Sequence, residues 1–329
     1  MHNSRVAQLA HVEVITPKIE ESVAFYKDIL GLYETGRDGG SVYLRAWGEY
    51  YQHSLQLTEG PEPALGHAGW RAESPEALED LAKRAEDLDA GIGWVEPSFG
   101  HGRAYRFRGP SGHTQEVFWD VDRYKAPPGE ESEIGNRPHR VTPRGASVRR
   151  LDHVTVNSFG PKEEAEWYCD LMGIRFMEYT ALDDDPETTV GAFISGVGNS
   201  HELGLILDFS GLRTEPRVTG RANHVAYWLD NREDVLRAAD IVVDAGFAIE
   251  YGPGRHGMGE NLFLYVREPG GMRVELFSGG YINGVPDWEP ARTLASRGVS
   301  YWNPDQRPPE HFLVDAFPPL PEPVSTGAR

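Results

Sequence analysis

Two histidines and a glutamate recur at matching places in the two halves of this chain. They are His11, His67 and Glu116 in the first half, and His153, His224 and Glu275 in the second. In "RLDHVTVNS" (150–158) the strand-like alternation puts His153 on one face with Leu151 and Thr155. In "RANHVAYWLD" His224 shares a face with Ala222 and Ala226, and in "MRVELFSG" Glu275 shares one with Arg273 and Phe277. A charged glutamate in mid-strand is costly unless it is paired or bound to a metal. Two neutral imidazoles and one carboxylate from three strands are the ligand set of a mononuclear non-haem iron(II) site, with up to three positions left open. A structural zinc site would use four closed ligands, usually with cysteine, and the chain has one cysteine.

These residues ride on a duplication. "AHVEVITPKIEESVAFYKDILGLYE" (10–34) is echoed by "DHVTVNSFGPKEEAEWYCDLMGIRF" (152–176), and "YRFRGPSGHTQEVFW" (105–119) by "LYVREPGGMRVELFS" (264–278). Repeats of this kind fix the architecture before any local reading does. Each half reads as strand, helix, several strands, helix and closing strands. Ser74 is placed to cap the helix in "SPEALEDLAKRAEDLDAG", Gly31 and Gly173 stand near helix C-termini, and "GPSG" and "EPGG" are hairpin turns. The fold class expected is α+β, with two domains of two βαβββ modules each, four in all, curling into open sheets. Residues 1–122 form the first domain, 123–149 a linker rich in Pro, Gly and charge, and 150–290 the second domain. Residues 291–329 form a Pro-rich strap or tail without a repeat partner.

The 329 residues carry a net charge of −19, with a sequence pI near 5.0. Such a surface repels nucleic acid and anionic membranes. No apolar run approaches the ~18–20 residues that span a bilayer, and "MHNSRVAQLAHVEV" lacks the features of a signal peptide. The single Cys169 cannot form an intramolecular disulfide and sits at a packing position of a helix, which points to a reducing cytoplasm.

The second half also resembles the type I extradiol ring-cleaving dioxygenases of the vicinal-oxygen-chelate superfamily. The residues concerned are "LDHVTV", "SHELGLIL", "NHVAYWL", "GPGRHG" and "LFLYVREPGGMRVELFSGGY", with "VYLRAWGEYYQHSLQL" matching in the first half. The set is similar to that of catechol 2,3-dioxygenases and of homoprotocatechuate 2,3-dioxygenases. The resemblance implies Fe(II), with Mn(II) as the alternative, on His153, His224 and Glu275. It implies ring opening of a catechol by O2 outside the two hydroxyls, giving a 2-hydroxymuconic-semialdehyde-type product of aromatic catabolism. It assigns His201 as the acid–base residue, and His256 and Tyr265 as groups that hydrogen-bond the substrate. Phe193 and Tyr251 then line the pocket, and Arg297 is available to an anionic substituent. Tyr251 stands where homoprotocatechuate enzymes have an arginine, which favours a catechol without a carboxylate. Homo-oligomers, often tetramers, are usual in the family. The alternatives are a homoprotocatechuate or 2,3-dihydroxybiphenyl enzyme, or a glyoxalase-like metal isomerase. His53 overlays His201 in the first half, but Arg106 stands where Tyr265 does. The working site is therefore expected in 150–290, and the first triad is read as inherited packing, with weak binding of a second metal as a hypothesis.

Overall fold

The computed structural model describes residues 4–140, 143–210, 219–305 and 308–314. Each half forms one sheet with the same strand order. The first runs Tyr33–Asp38, Ser41–Arg45, Leu55–Glu59, Val6–Thr16, Ala64–Ala72, Thr114–Phe118, Ala104–Arg108 and Gly91–Val95. The second repeats it as Ile249–Arg255, Asn261–Arg267, Arg273–Gly279, Ala222–Trp228, Arg150–Ser158, Leu203–Leu207, Thr189–Ser195 and Arg175–Ala181, read from the opposite edge. Two βαβββ modules thus meet at a central antiparallel pair in each half, Val6–Thr16 with Ala64–Ala72 and Arg150–Ser158 with Ala222–Trp228.

That pair sets the positions of the histidines. Ala226 pairs with His153 on one side and Glu275 on the other, and His224 lies two residues back on the same strand. A period of two keeps all three side chains on one face. The first half repeats the register: Gly69 pairs with His11 and Glu116, two residues beyond His67.

Each half packs its helices against the other half. Phe25 and Tyr26 of the first half meet Phe247 and Tyr227 of the second, and Trp167 meets Phe107. Buried side chains of both halves form one continuous core, where a large apolar residue contributes ~1.5–3 kcal/mol on burial. The hairpin turns are tied across as well. Ser22 Oγ donates to Glu268 Oε2 at 2.5 Å, and the Ser111 amide donates to Glu164 Oε1 at 3.1 Å.

The local signals hold at the helix ends. Ser74 accepts from the Ala77 amide at 3.1 Å, and Gly31 and Gly173 take φ values of 89° and 71°. Other elements depart from the sequence pattern. The first helix is α over Ile19–Ala24 and continues as a π-helix over Phe25–Leu30. The end of the 123–149 segment is packed rather than loose, with Ala146 and Val148 fully buried and their amides bonded to Ile29 and Leu30 carbonyls. Ala291–Leu294 adds a ninth strand, parallel to Arg175–Ala181. A short helix follows at Glu310–Val314, while residues from 315 onward lie outside those described.

Among the described residues no helix is long and apolar enough to cross a membrane. Cys169 is half-buried, and burial, followed by the charges of Asp170 and Glu166, pushes its thiol up to about 12. The thiolate is the reactive form. Alkylation at pH 8 should therefore run ~1,000-fold slower in the folded chain than in the unfolded one. Rapid labelling of native protein by iodoacetamide would contradict this packing role.

Candidate metal centre

The three side chains of the second half converge in the interior. His153 Nε2 lies 3.2 Å from His224 Nε2 and 3.1 Å from Glu275 Oε2, and His224 Nε2 lies 3.2 Å from the same oxygen. Donor atoms ~2.1 Å from one ion and at right angles to each other are ~3.0 Å apart, so this triangle is the size of one face of an octahedron. Neighbouring residues fix each imidazole. His153 Nδ1 is 3.0 Å from Asp152 Oδ2, and His224 Nδ1 is 2.8 Å from Asn223 Oδ1. A proton donated outward from each Nδ1 leaves both Nε2 lone pairs facing the centre. Asn261 Nδ2 donates to Glu275 Oε1 at 3.4 Å. The donor set and its supports fit a divalent metal.

The electrostatics follow from those partners. Both imidazoles face Glu275, and burial opposes charge on each. The carboxylate of Asp152, together with Glu275, outweighs burial at His153 and pushes it up to about 9. His224 has only the neutral Asn223 behind it, and burial pulls it down to about 4. Against its own burial, Glu275 is held well below the carboxylate range by hydrogen bonds from the two histidines. Without a metal, Asp152 and Glu275 thus favour a proton on His153 over one on His224.

The other residues expected at the site fall into three groups. His201 packs its ring 4.0 Å from that of His153 and 4.9 Å from Phe193, with Nδ1 buried and without a hydrogen-bond partner. Burial, then the charge on His153, lowers its pKa well below 6.5. His256 and Tyr265 form a linked pair: His256 Nδ1 faces the Val299 carbonyl at 2.5 Å, and the Tyr265 hydroxyl donates to Nε2 at 3.1 Å. His256 Nε2 is 4.0 Å from Glu275 Oε1. Tyr251 stacks beside Tyr265, and Phe312 closes over both rings. Arg297 is placed elsewhere, exposed on the short helix Ala295–Gly298. The backbone of that segment, not its charge, reaches the site, through Val299 and His256.

Asp152, Asn223, Val299 and Phe312 were not singled out from the sequence. A readable signal existed for the first two, since each is the polar residue directly before a strand histidine. Replacing Asp152 with alanine should weaken metal binding by ~10–100-fold while all three donor side chains remain. Metal titration of the apo chain measures this, and an unchanged affinity would remove Asp152 from the site.

A cavity of about 1320 Å³ lies between the halves, lined by residues such as Glu49, His53, Arg123 and Glu202. It touches the second cluster only from behind, through Asp152 and Phe277. Converging donor atoms, rather than size, mark the centre.

Comparison with known proteins agrees with this geometry. Residues 8–117 and 150–276 match the model of the Glyoxalase/Bleomycin resistance protein/Dioxygenase superfamily. A manganese-dependent 2,3-dihydroxybiphenyl 1,2-dioxygenase of Geobacillus genomosp. 3 is 39% identical over 93% of this chain and 96% of its own. A metapyrocatechase of Geobacillus stearothermophilus is 39% identical over 87% of this chain and 85% of its own. The crystal structure of the 2,3-dioxygenase LapB from Pseudomonas sp. KL28 superposes with a TM-score of 0.76 at 25% identity, covering 88% of this chain and 98% of that one. The chain belongs to the Glyoxalase/Bleomycin resistance protein/Dioxygenase superfamily and, within it, to the extradiol ring-cleaving dioxygenases.

Proposed function

We propose that this protein opens the ring of catechol or a substituted catechol with O2, using Fe(II) or Mn(II) on His153, His224 and Glu275. The observation that carries this reading is the 3.1–3.2 Å donor triangle, with His201, His256 and Tyr265 gathered around it. When bound, the metal supplies adjacent positions for a chelating catechol and dioxygen, and a path for electrons between them.

The protein's own residues supply the rest. His201, neutral because it is buried, accepts a proton from a substrate hydroxyl and returns it as the ring opens. Tyr265 is kept protonated by burial and by the charge of Glu275, so its hydroxyl remains a donor. His256, held by Val299, orients that hydroxyl and borders the substrate space. Phe193, Tyr251 and Phe312 give the ring an apolar wall and restrict water. Catalysis is assigned to 150–290.

One of the two Geobacillus relatives is named for 2,3-dihydroxybiphenyl and the other for pyrocatechol, so the proposed substrate range spans both. An aromatic Tyr251 and an exposed Arg297 favour a substrate without a carboxylate over homoprotocatechuate. The isomerase alternative is not favoured, because the manganese-dependent relative and LapB are dioxygenases by name. A cytoplasmic role in aromatic catabolism as a homotetramer completes the proposal, with light scattering as the check on assembly. The deciding experiment loads the apo chain anaerobically with Fe(II) or Mn(II). It then offers catechol, 2,3-dihydroxybiphenyl and 3,4-dihydroxyphenylacetate with O2. Oxygen uptake with a yellow product ranks the substrates, and no uptake with any of them and either metal would reject the reading.

A further inference from the structure

The first half contains a cluster that packing alone does not account for. His11, His67 and Glu116 lie on the same register line as the second triad, on one sheet face, and all three are buried. His11 Nε2 is 2.8 Å from His67 Nε2, and the two lie 3.6 and 3.4 Å from Glu116 Oε1. All three donor atoms fall within 4.8 Å of one another; among the described residues only this group and the second triad do so.

The outer hydrogen bonds of the cluster run away from its centre, where the two Nε2 atoms face each other and a shared proton is the metal-free alternative to an ion. His67 Nδ1 is 2.9 Å from Glu13 Oε2, the outward carboxylate contact that fixes a metal-binding imidazole with Nε2 bare. Arg106 Nε donates to Glu116 Oε2 at 2.7 Å, so that oxygen is satisfied from outside. Glu116 Oε1 is buried without a hydrogen bond of its own, with His101 Nε2 at 3.3 Å as a third imidazole beside it, and His53 Nε2, on the ring next to His11, is likewise buried without a partner. An unsatisfied buried carboxylate oxygen beside two close imidazole nitrogens is costly for an empty core. A cation at their centre satisfies all three groups.

We propose that His11, His67 and Glu116 bind a second divalent transition-metal ion, which takes no part in ring cleavage. The donor chemistry is that of an iron, manganese or zinc ion. Two differences from the second half separate this site from catalysis. Arg106 takes the place of Tyr265, pairing with Glu116 as Tyr265 pairs in register with Glu275. The space beside His53 is filled by Tyr43 and Phe99, stacked 4.3 Å apart, where the second half has Phe193 beside His201. His53, beside His11, also lines the cavity between the halves. The proposal does not depend on the ring-cleavage reading.

The test counts metal on the full-length chain. Wild type, His224→Ala, Glu116→Gln and the double variant are stripped with chelator, titrated with Zn(II), and freed of excess by gel filtration. Bound zinc is then measured per folded chain. Two ions in wild type, one in each single variant and none in the double variant are expected. Co(II) added to His224→Ala should give visible absorption bands that disappear in the double variant. One ion in wild type and none in His224→Ala would overturn the proposal and leave the cluster as protonated packing. Two ions that both persist in Glu116→Gln would overturn it too. If Glu116→Gln does not fold, His224→Ala still decides, because its N-terminal half is untouched.

Discussion

Replacing His224 with alanine is expected to empty the second-half centre and lower ring-cleavage activity by at least ~1,000-fold. Even an outer contact to a metal ligand changes affinity or activity by ~10–100-fold, and His224 supplies one of the three donors themselves. The substitution suits the question because His224 is neutral, pulled down to about 4 by burial. Its loss leaves the pairing of Glu275 with protonated His153 intact, so no buried charge is stranded. The structural cost is then mainly a cavity of a few kcal/mol, and thermal unfolding should still be cooperative. The same protonation pattern sets a pH dependence. His153, at about 9 in the metal-free chain, must release its proton before a metal takes Nε2. Apparent affinity in the wild type should therefore rise with pH, by up to ~tenfold per unit, and level off near pH 9. Metal titrations at pH 6, 7 and 8 measure this. A flat profile would mean that the proton resides elsewhere, and a His224→Ala enzyme with near-normal turnover would remove His224 from the centre.

What could be read beforehand was whatever repeats or alternates locally. The triads were legible because a period of two fixes the face of His153, His224 and Glu275, and because the duplication aligns them with His11, His67 and Glu116. The helix caps at Ser74, Gly31 and Gly173 were legible because they depend on backbone conformation within a few residues. Elements set by distant contacts were not. Ala291–Leu294 is a strand only because the edge strand Arg175–Ala181 offers unpaired groups to it. The 144–148 stretch has a linker's composition, yet it satisfies the carbonyls at the end of the first helix. Arg297 has the right chemistry for an anionic group, but its side chain points to the surface while its neighbour Val299 holds His256 through a carbonyl. Backbone roles of this kind leave no mark in residue type. Phe312 was one aromatic among many in the tail until Tyr251, Tyr265 and Arg273 were seen against its ring.

Replacing His201 with phenylalanine should separate proton transfer from metal binding. The aromatic ring keeps the contacts with His153 and Phe193, whose centroids lie 4.0 and 4.9 Å from the imidazole, and removes both nitrogens. No donor atom of the metal triangle is touched, so metal content should equal that of the wild type. General acid–base groups typically contribute ~10²–10⁴-fold, and kcat should fall within that range with a much smaller change in KM. The direction of the pKa shift gives a second signature. Burial holds His201 well below 6.5, so the neutral base is present throughout the neutral range and is lost only as pH falls below that lowered value. The acidic limb of the wild-type kcat profile should accordingly lie below pH ~6.5 and be absent from the variant. A variant that loses its metal together with its activity would make His201 a structural support of His153. Unchanged kcat at full metal content would place the acid–base group elsewhere, with His256 the next candidate because its Nε2 already shares a hydrogen bond with Tyr265.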